Sequence, residues 1–257
     1  MNKPLVEIVI PVYNEQEVLE KSVNTLRNFL KSNFAYTWRI TIADNASKDR
    51  TWEIAQKLQA AYPEVKALHL DQKGRGRALR QAWLESEAEI VSYMDVDLST
   101  GLESFWPMIE SILSGENELA IGSRLASEAV VTRQWKRELT SRGYNMLIKL
   151  FFFHTFSDAQ CGFKACRVST ARQLLPMVEN NEWFFDTELL LLAEHNNLPI
   201  FEVPVRWVED LDSRVNIIKT ALEDVKGLWR VRKEFWRGKG RIAGPIPADF
   251  EGMSLAK

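Results

Sequence analysis

The sequence predicts an α/β fold: a mainly parallel, Rossmann-like sheet flanked by helices. Three observations carry this. Short apolar runs alternate with stretches of helical periodicity through the first hundred residues. That β-α-β-α-β-α-β order is the signature of a parallel sheet sandwiched between helices. The strands end in polar or glycine-containing turns at residues 11–15, 44–49, 74–76 and 95–97. In such sheets ligands bind beyond the carboxyl ends of the strands, so the four turns are expected to converge on one crevice. Finally, 257 residues with 46% hydrophobic content are enough for one large domain with its own core.

In order, residues 5–10 read as a first strand, stopped by Pro11. Val18, Val23, Leu26, Phe29 and Leu30 then recur at helical spacing up to Lys31. Residues 38–43 are a second strand, followed by a helix over 51–61 that stops at Pro63. Residues 65–70 are a third strand, and Gly74-Arg75-Gly76 opens a helix over 77–87. Residues 90–94, IVSYM, form a fourth strand buried on both faces. Beyond Thr100 the pattern predicts a helix at 102–113, a strand at 118–122 and a long basic, apolar helix at 135–153. A loop at 157–164, helices at 169–178 and 186–196, a strand at 200–208 and a last helix at 215–236 complete the domain. No repeat or interdomain linker is visible, so residues 1–237 are expected to be one domain. The Gly- and Pro-rich residues 238–257 are expected to be a flexible tail.

A net charge of −2 gives no global argument for nucleic acid or a strongly anionic partner. Cys161 and Cys166 have no companion pair, which indicates neither a zinc site nor a disulfide framework and suits a reducing compartment. His69, His154 and His195 lack metal-ligand spacing, and no GxSxG elbow is present. The amino terminus lacks the pattern of a signal peptide, and no apolar run reaches the ~18 residues that span a bilayer. The expectation is an intracellular protein that is not integral to a membrane.

Asp95 and Asp97 are two apart, and side chains two apart on an extended segment project to one side. Adjacent carboxylates repel unless a cation sits between them, and a hard divalent ion such as Mg²⁺ or Mn²⁺ fits. Two aspartates capping a turn is the alternative. Asn14 and Glu15 suit helix capping as well as a site. Asp44 suits an Asx turn, or acceptance of a nucleobase N–H with Tyr13 as an aromatic wall. Gly74-Arg75-Gly76 lacks both the dinucleotide fingerprint and a P-loop, which disfavours a dinucleotide-dependent dehydrogenase; Arg75 adds charge to a weak phosphate cradle. Asp158 and Gln160 flank Gly162 in a loop that permits close backbone approach. Arg124 and Arg214 read equally as surface charges.

Together, IVIPVYNE, DNASKDRT, KGRGRAL and MDVDLST resemble the family 2 glycosyltransferases of the GT-A fold. IGSR, DAQCGFK, WFFDTELL and EVPVRW are similar, more narrowly, to dolichyl-phosphate mannose and glucose synthases and bacterial polyprenyl-phosphate relatives. The resemblance covers residues 6–214. It implies that Pro11, Tyr13, Glu15 and Asp44 hold the base and ribose of a nucleotide-sugar, with Gly74 and Arg75 beside them. It implies that Asp95 and Asp97 bind a metal–diphosphate, with Gln160 a further metal ligand. Arg124 would meet the acceptor phosphate, and Arg214 matches a basic position of the family. Asn45 departs from the second aspartate that many members carry, and Arg75 from the commoner lysine.

Asp97, Arg124 and Asp158 are thus expected to carry an inverting hexosyl transfer from a UDP-glucose or GDP-mannose type donor to a polyprenyl phosphate. A phosphate acceptor is already anionic and needs no strong base, which agrees with the absence of histidine from these motifs. Asp158 is the candidate if a carboxylate orients the attack. Transfer to a saccharide or other hydroxyl and a non-catalytic nucleotide-sugar-binding module are the rivals. The Phe-rich helix at 144–153 follows Arg133, Lys136, Arg137 and Arg142, and Trp229 to Arg237 form a second basic aromatic stretch. Both suit the interface of an anionic leaflet, so attachment to the cytoplasmic face is expected to be peripheral or through a membrane partner. An ordinary core helix is the alternative for 144–153.

Overall fold

The computed structural model describes residues 3–132, 135–208 and 217–244. A seven-stranded sheet in the order β3-β2-β1-β4-β7-β5-β8 forms the centre. Its strands are β1 (Leu5–Val12), β2 (Thr37–Asn45), β3 (Val65–Leu70), β4 (Ile90–Met94), β5 (Leu119–Ser123), β7 (Phe163–Arg167) and β8 (Ile200–Pro204). All neighbours are parallel except β7, which runs antiparallel to both β4 and β5. Two short strands, β6 (Val130–Thr132) and β9 (Arg206–Val208), pair separately, and Trp207 of β9 bridges to Thr100.

The helices are α1 (Leu19–Asn33), α2 (Thr51–Ala61), α3 (Arg75–Leu84), α4 (Phe105–Leu113), α5 (Trp135–Phe152), α6 (Val168–Leu174), α7 (Phe185–His195) and α8 (Ile217–Trp236). They build two cores, one on each face of the sheet. Along β1 the side chains of Val6, Ile8, Ile10 and Val12 enter the core of α1, α2 and α4, while Val9 enters that of α3, α6 and α7. This period of two on a strand buried on both faces explains its continuous apolar run.

Three differences from expectation have physical reasons. β1 runs past Pro11 to Val12 because β4 pairs only with Val6–Val9, so Pro11 lies where the strand has one neighbour. β7 occupies a stretch expected to be partly loop, because Lys164 and Arg167 interrupt its apolar pattern. Both are nevertheless buried, Lys164 beside Asp186 and Arg167 beside Glu118. The strand expected over 200–208 divides at Val205, where the chain leaves β5 and joins β6. Cys161 and Cys166 are buried, free thiols.

The stretch from Gly238 begins against the domain: Asn196 of the α7 C-cap bonds Gly240 O and the Ile242 amide, at 2.7 and 3.0 Å. Residues 245–257 lie outside the described part.

Gly76, on α3, faces α7 so closely that a Cβ would lie 2.6 Å from Phe185 Cβ. Alanine adds up to ~1 kcal/mol of helix propensity over glycine, but overpacking typically costs about 1–3 kcal/mol. Gly76→Ala is therefore expected to lower the urea midpoint; a raised midpoint would show that α3 and α7 pack loosely.

Candidate active site

The four turns do converge at the carboxyl ends of β1 to β4, and those of β1 and β2 interlock. Asn14 accepts from Lys48 N at 2.8 Å and donates its own amide to Ser47 Oγ at 2.9 Å. The Glu15 amide donates to Thr51 Oγ1 at 2.8 Å. Asn14, with φ of 57°, thus ties two turns together and does not cap α1, whose N-cap is Val18. Pro11 and Tyr13 lead into this joint, and Lys73 Nζ lies 3.8 Å from the Tyr13 ring centroid.

Asp44 is fully buried. Its Oδ2 pairs with His69 Nδ1 at 2.7 Å, while Oδ1 has no hydrogen-bond partner among the described residues. A buried acceptor without a donor is costly in the absence of a ligand, and a nucleobase N–H is the kind of donor it lacks. The departure at Asn45 also has an account. Its Oδ1 accepts the Gly74 amide at 2.6 Å, so a neutral side chain anchors the glycine loop. Gly74 takes φ of +155°, and a Cβ there would sit 2.7 Å from Asn181 O.

Arg75, expected at a phosphate, is buried with both ends of its guanidinium on carboxylates. Nη2 donates to Asp95 Oδ1 at 2.6 Å and Nη1 to Asp186 Oδ2 at 2.7 Å, with the Tyr93 and Trp183 rings around it. Asp186 also accepts from the Tyr93 hydroxyl and lies 3.3 Å from Lys164 Nζ. Burial alone would lower the Arg75 pKa, but Asp95 and Asp186 outweigh it and hold it well above the ordinary value. Two buried cations, Arg75 and Lys164, thus face buried Asp186 and the half-exposed Asp95, which Arg75 holds at the edge of the crevice.

Asp95 and Asp97 are not on an extended segment. β4 ends at Met94, Leu98 N bonds Asp95 O at 3.1 Å, and Leu98 adopts φ of 51°. The pair therefore sits in a tight turn, with Asp97 Oδ1 accepting Ser99 N at 3.0 Å. Gly162 is required here, because a Cβ would fall 1.7 Å from Asp95 Oδ2. Gln160 lies in the same loop and donates Nε2 to Asp224 Oδ2 of α8 at 3.2 Å, leaving Oε1 as its other polar atom. Among the described residues no group of three or more His, Cys, Asp or Glu forms a cation cage. Two carboxylates and one amide oxygen, all hard donors and few, fit Mg²⁺ or Mn²⁺, which keep positions for water and phosphate oxygens.

Beyond β5, Arg124 and Asp158 form a bidentate pair at 2.8 and 2.9 Å, and Asp158 also accepts the Arg124 and Gln160 amides. Burial would raise the Asp158 carboxyl, but Arg124 outweighs it and holds it below the ordinary carboxylate value. Asp158 is fully buried. Its oxygens are taken up by Arg124 and the two amides, and the Arg124 guanidinium also lies 5.5 Å from the Trp207 ring. Arg214 lies outside the described residues. Asp186, Lys164 and Asp224 do not stand out in the sequence. The first two sit in the motifs WFFDTELL and CGFK, whereas no motif marks Asp224.

The family profile described as Glycosyl transferase family 2 matches residues 7–175. Dolichyl-phosphate beta-glucosyltransferase ALG5C of Trichomonas vaginalis is 32% identical over 257 residues, covering 95% of this chain and 76% of that protein. Dolichyl-phosphate beta-glucosyltransferase of Drosophila melanogaster is 30% identical over 251 residues, covering 92% and 77%. Glycosyltransferase AglD of Haloferax volcanii is 35% identical over 222 residues and 84% of this chain, but the chain spans only 35% of that protein's length. Among solved structures, glucosyl-3-phosphoglycerate synthase of Mycobacterium tuberculosis, in complex with Mn²⁺, UDP-glucose and phosphoglyceric acid, is similar with a TM-score of 0.66. It is 16% identical, covering 90% of this chain and 80% of that chain, a likeness of fold.

Asp186→Ala would leave Arg75 and Lys164 as buried charges short of a partner. Breaking a buried pair in this way costs about 3–5 kcal/mol, so the variant should unfold at markedly lower urea. A loss under about 1 kcal/mol would show that the cluster is not coupled as described.

Proposed function

Because this chain belongs to glycosyl transferase family 2 and has the GT-A fold, we propose that it transfers glucose from UDP-glucose to a polyprenyl phosphate of the dolichyl type. The observation that carries this reading is likeness along nearly the whole chain to a dolichyl-phosphate beta-glucosyltransferase, reaching beyond the profile match into α8. The geometry supports it at each step. Asp44 Oδ1 would accept the uracil N–H, with Tyr13 beside the base and Pro11 and Glu15 lining the joint between the first two turns. Asp95, Asp97 and Gln160 would hold Mg²⁺ or Mn²⁺, which when bound supplies the positive charge that makes a nucleoside diphosphate a tolerable leaving group.

Arg124, aimed by Asp158, would hold the acceptor phosphate. A phosphate oxygen then attacks the anomeric carbon in line, the bond to the β-phosphate oxygen of UDP breaks, and UDP leaves with inversion. The nucleophile arrives as an anion, so no proton need be removed. This agrees with the state of Asp158, which is locked against Arg124 and cannot serve as the base that a hydroxyl acceptor wants.

The helices α5 and α8 offer a surface for the lipid. Met146, Leu150 and Phe153 are exposed on or just beyond α5, and Leu222, Trp229 and Trp236 at seven-residue spacing on α8. The two sets adjoin through the edge-to-face pair of Phe151 and Trp229. Arg142, Lys149, Lys226, Lys233 and Arg237 are exposed beside them. Among the described residues no helix is long and apolar enough to cross a membrane. A basic rim around an apolar face supports peripheral binding to the anionic cytoplasmic leaflet, and a separate membrane partner would use the same face.

With labelled UDP-glucose, Mn²⁺ or Mg²⁺ and a short polyprenyl phosphate, label should enter the organic phase only when all three are present. Asp97→Ala should lower transfer at least ~100-fold with an unchanged melting temperature. Near-normal turnover in that variant would remove Asp97 from the metal site, and hydrolysis without lipid product would favour another acceptor or simple binding. Combining Leu150→Asp with Trp229→Asp should reduce sedimentation with anionic vesicles roughly tenfold while sparing turnover of the short acceptor. Unchanged sedimentation would leave α5 and α8 as an ordinary surface.

A further inference from the structure

We infer that Asp224 is a positioning residue for Gln160: its carboxylate selects the carboxamide orientation that turns Oε1 toward the diphosphate site. The inference rests on the proposed reading of Gln160 as a metal ligand. A glutamine amide presents an oxygen and an NH₂ group of nearly the same size, and only the oxygen can ligate a hard cation. Shape alone does not choose between them, so something beyond the ligand must.

Asp224 makes that choice as a hydrogen-bond acceptor. Its Oδ2 accepts Gln160 Nε2 at 3.2 Å. A flipped amide would set Oε1 against the Asp224 oxygen, exchanging a hydrogen bond for lone-pair repulsion. The other end of the residue is fixed independently, since the Gln160 amide donates to Asp158 Oδ1 at 3.2 Å. Backbone and side chain are thus pinned by two buried acids, and the oxygen is the atom left over.

Asp224 is built for this position at a cost. It is 2% exposed, on the inner face of α8 with Leu228 and Val231, and its Oδ1 has no hydrogen-bond partner among the described residues. A buried carboxyl destabilises a helix interface unless it serves its neighbours, and Asp224 faces two of them, Gln160 and the Tyr144 hydroxyl. Tyr144 adjoins it from α5, its hydroxyl 3.0 Å from Thr187 Oγ1. Partners of this kind, one bond behind a metal ligand, orient the ligand and typically change metal affinity 10–100-fold when removed.

The test is Mn²⁺ binding to the full chain in the presence of UDP, read from loss of the free-ion signal in electron paramagnetic resonance. Asp224→Asn lets the facing amides pair in either sense, and should weaken Mn²⁺ binding about tenfold. In a Gln160→Glu background either carboxylate oxygen can face the metal, and Asp224→Asn also removes a like charge. There the same substitution should leave Mn²⁺ affinity unchanged or improve it. A role in packing alone would weaken binding in both backgrounds, and that result would overturn the inference, as would unchanged affinity in the single variant. Should the single variant fold poorly, a folded double variant that binds Mn²⁺ as tightly as Gln160→Glu supports the inference by itself, and weaker binding overturns it. Failure of the unsubstituted protein to bind Mn²⁺ with UDP would remove the metal site itself and the inference with it.

Discussion

The Arg75 guanidinium, closed between Asp95 and Asp186, is the interaction on which the rest of the site depends. It joins the start of α3 to the turn after β4 and to the first turn of α7. Lys164 of β7 completes the charge balance from the antiparallel strand. Arg75 holds the Asp95 carboxylate from one side and leaves its solvent-facing edge open. The arrangement also explains why glycine is needed at 162, where any Cβ would collide with Asp95.

Around this cluster the crevice is built by turns that hold one another. Asn14, Ser47, Lys48 and Thr51 lock the ends of β1 and β2 together. Asn45 then anchors the Gly74 loop, and that loop opens the helix carrying Arg75. On the other side, antiparallel β7 runs away from the crevice, so the loop before it delivers Asp158, Gln160 and Gly162 to the end of β4. The turns of β1 to β4 and the loop before β7 thus meet across a single sheet, with Arg124 and Asp158 beyond β5.

Much of this is legible in the sequence. The parallel order of β1 to β4 follows from alternating apolar runs, and the convergence of their turns from where parallel strands end. What cannot be read there is what long-range partners decide. β7 is hidden because Lys164 and Arg167 look like surface charges until Asp186 and Glu118 are placed beside them. The turn at Asp95 reads as extended because nothing local announces a left-handed Leu98. Arg75 and Asp158 stand out in the sequence, but that Arg75 is closed on two carboxylates and Asp158 on Arg124 depends on which atoms meet. Asp224 carries no sequence signal, since a lone acid on an amphipathic helix reads as solvated.

A nucleoside diphosphate and its metal are the natural occupants of a crevice built this way, and a structure of the chain with UDP and Mn²⁺ tests that most directly. It should place the uracil N–H on Asp44 Oδ1 and the metal on Asp95, Asp97 and Gln160 Oε1, with Arg75 still bridging Asp95 and Asp186. UDP bound away from the carboxyl ends of β1 and β2, or a metal held without Asp97, would contradict it.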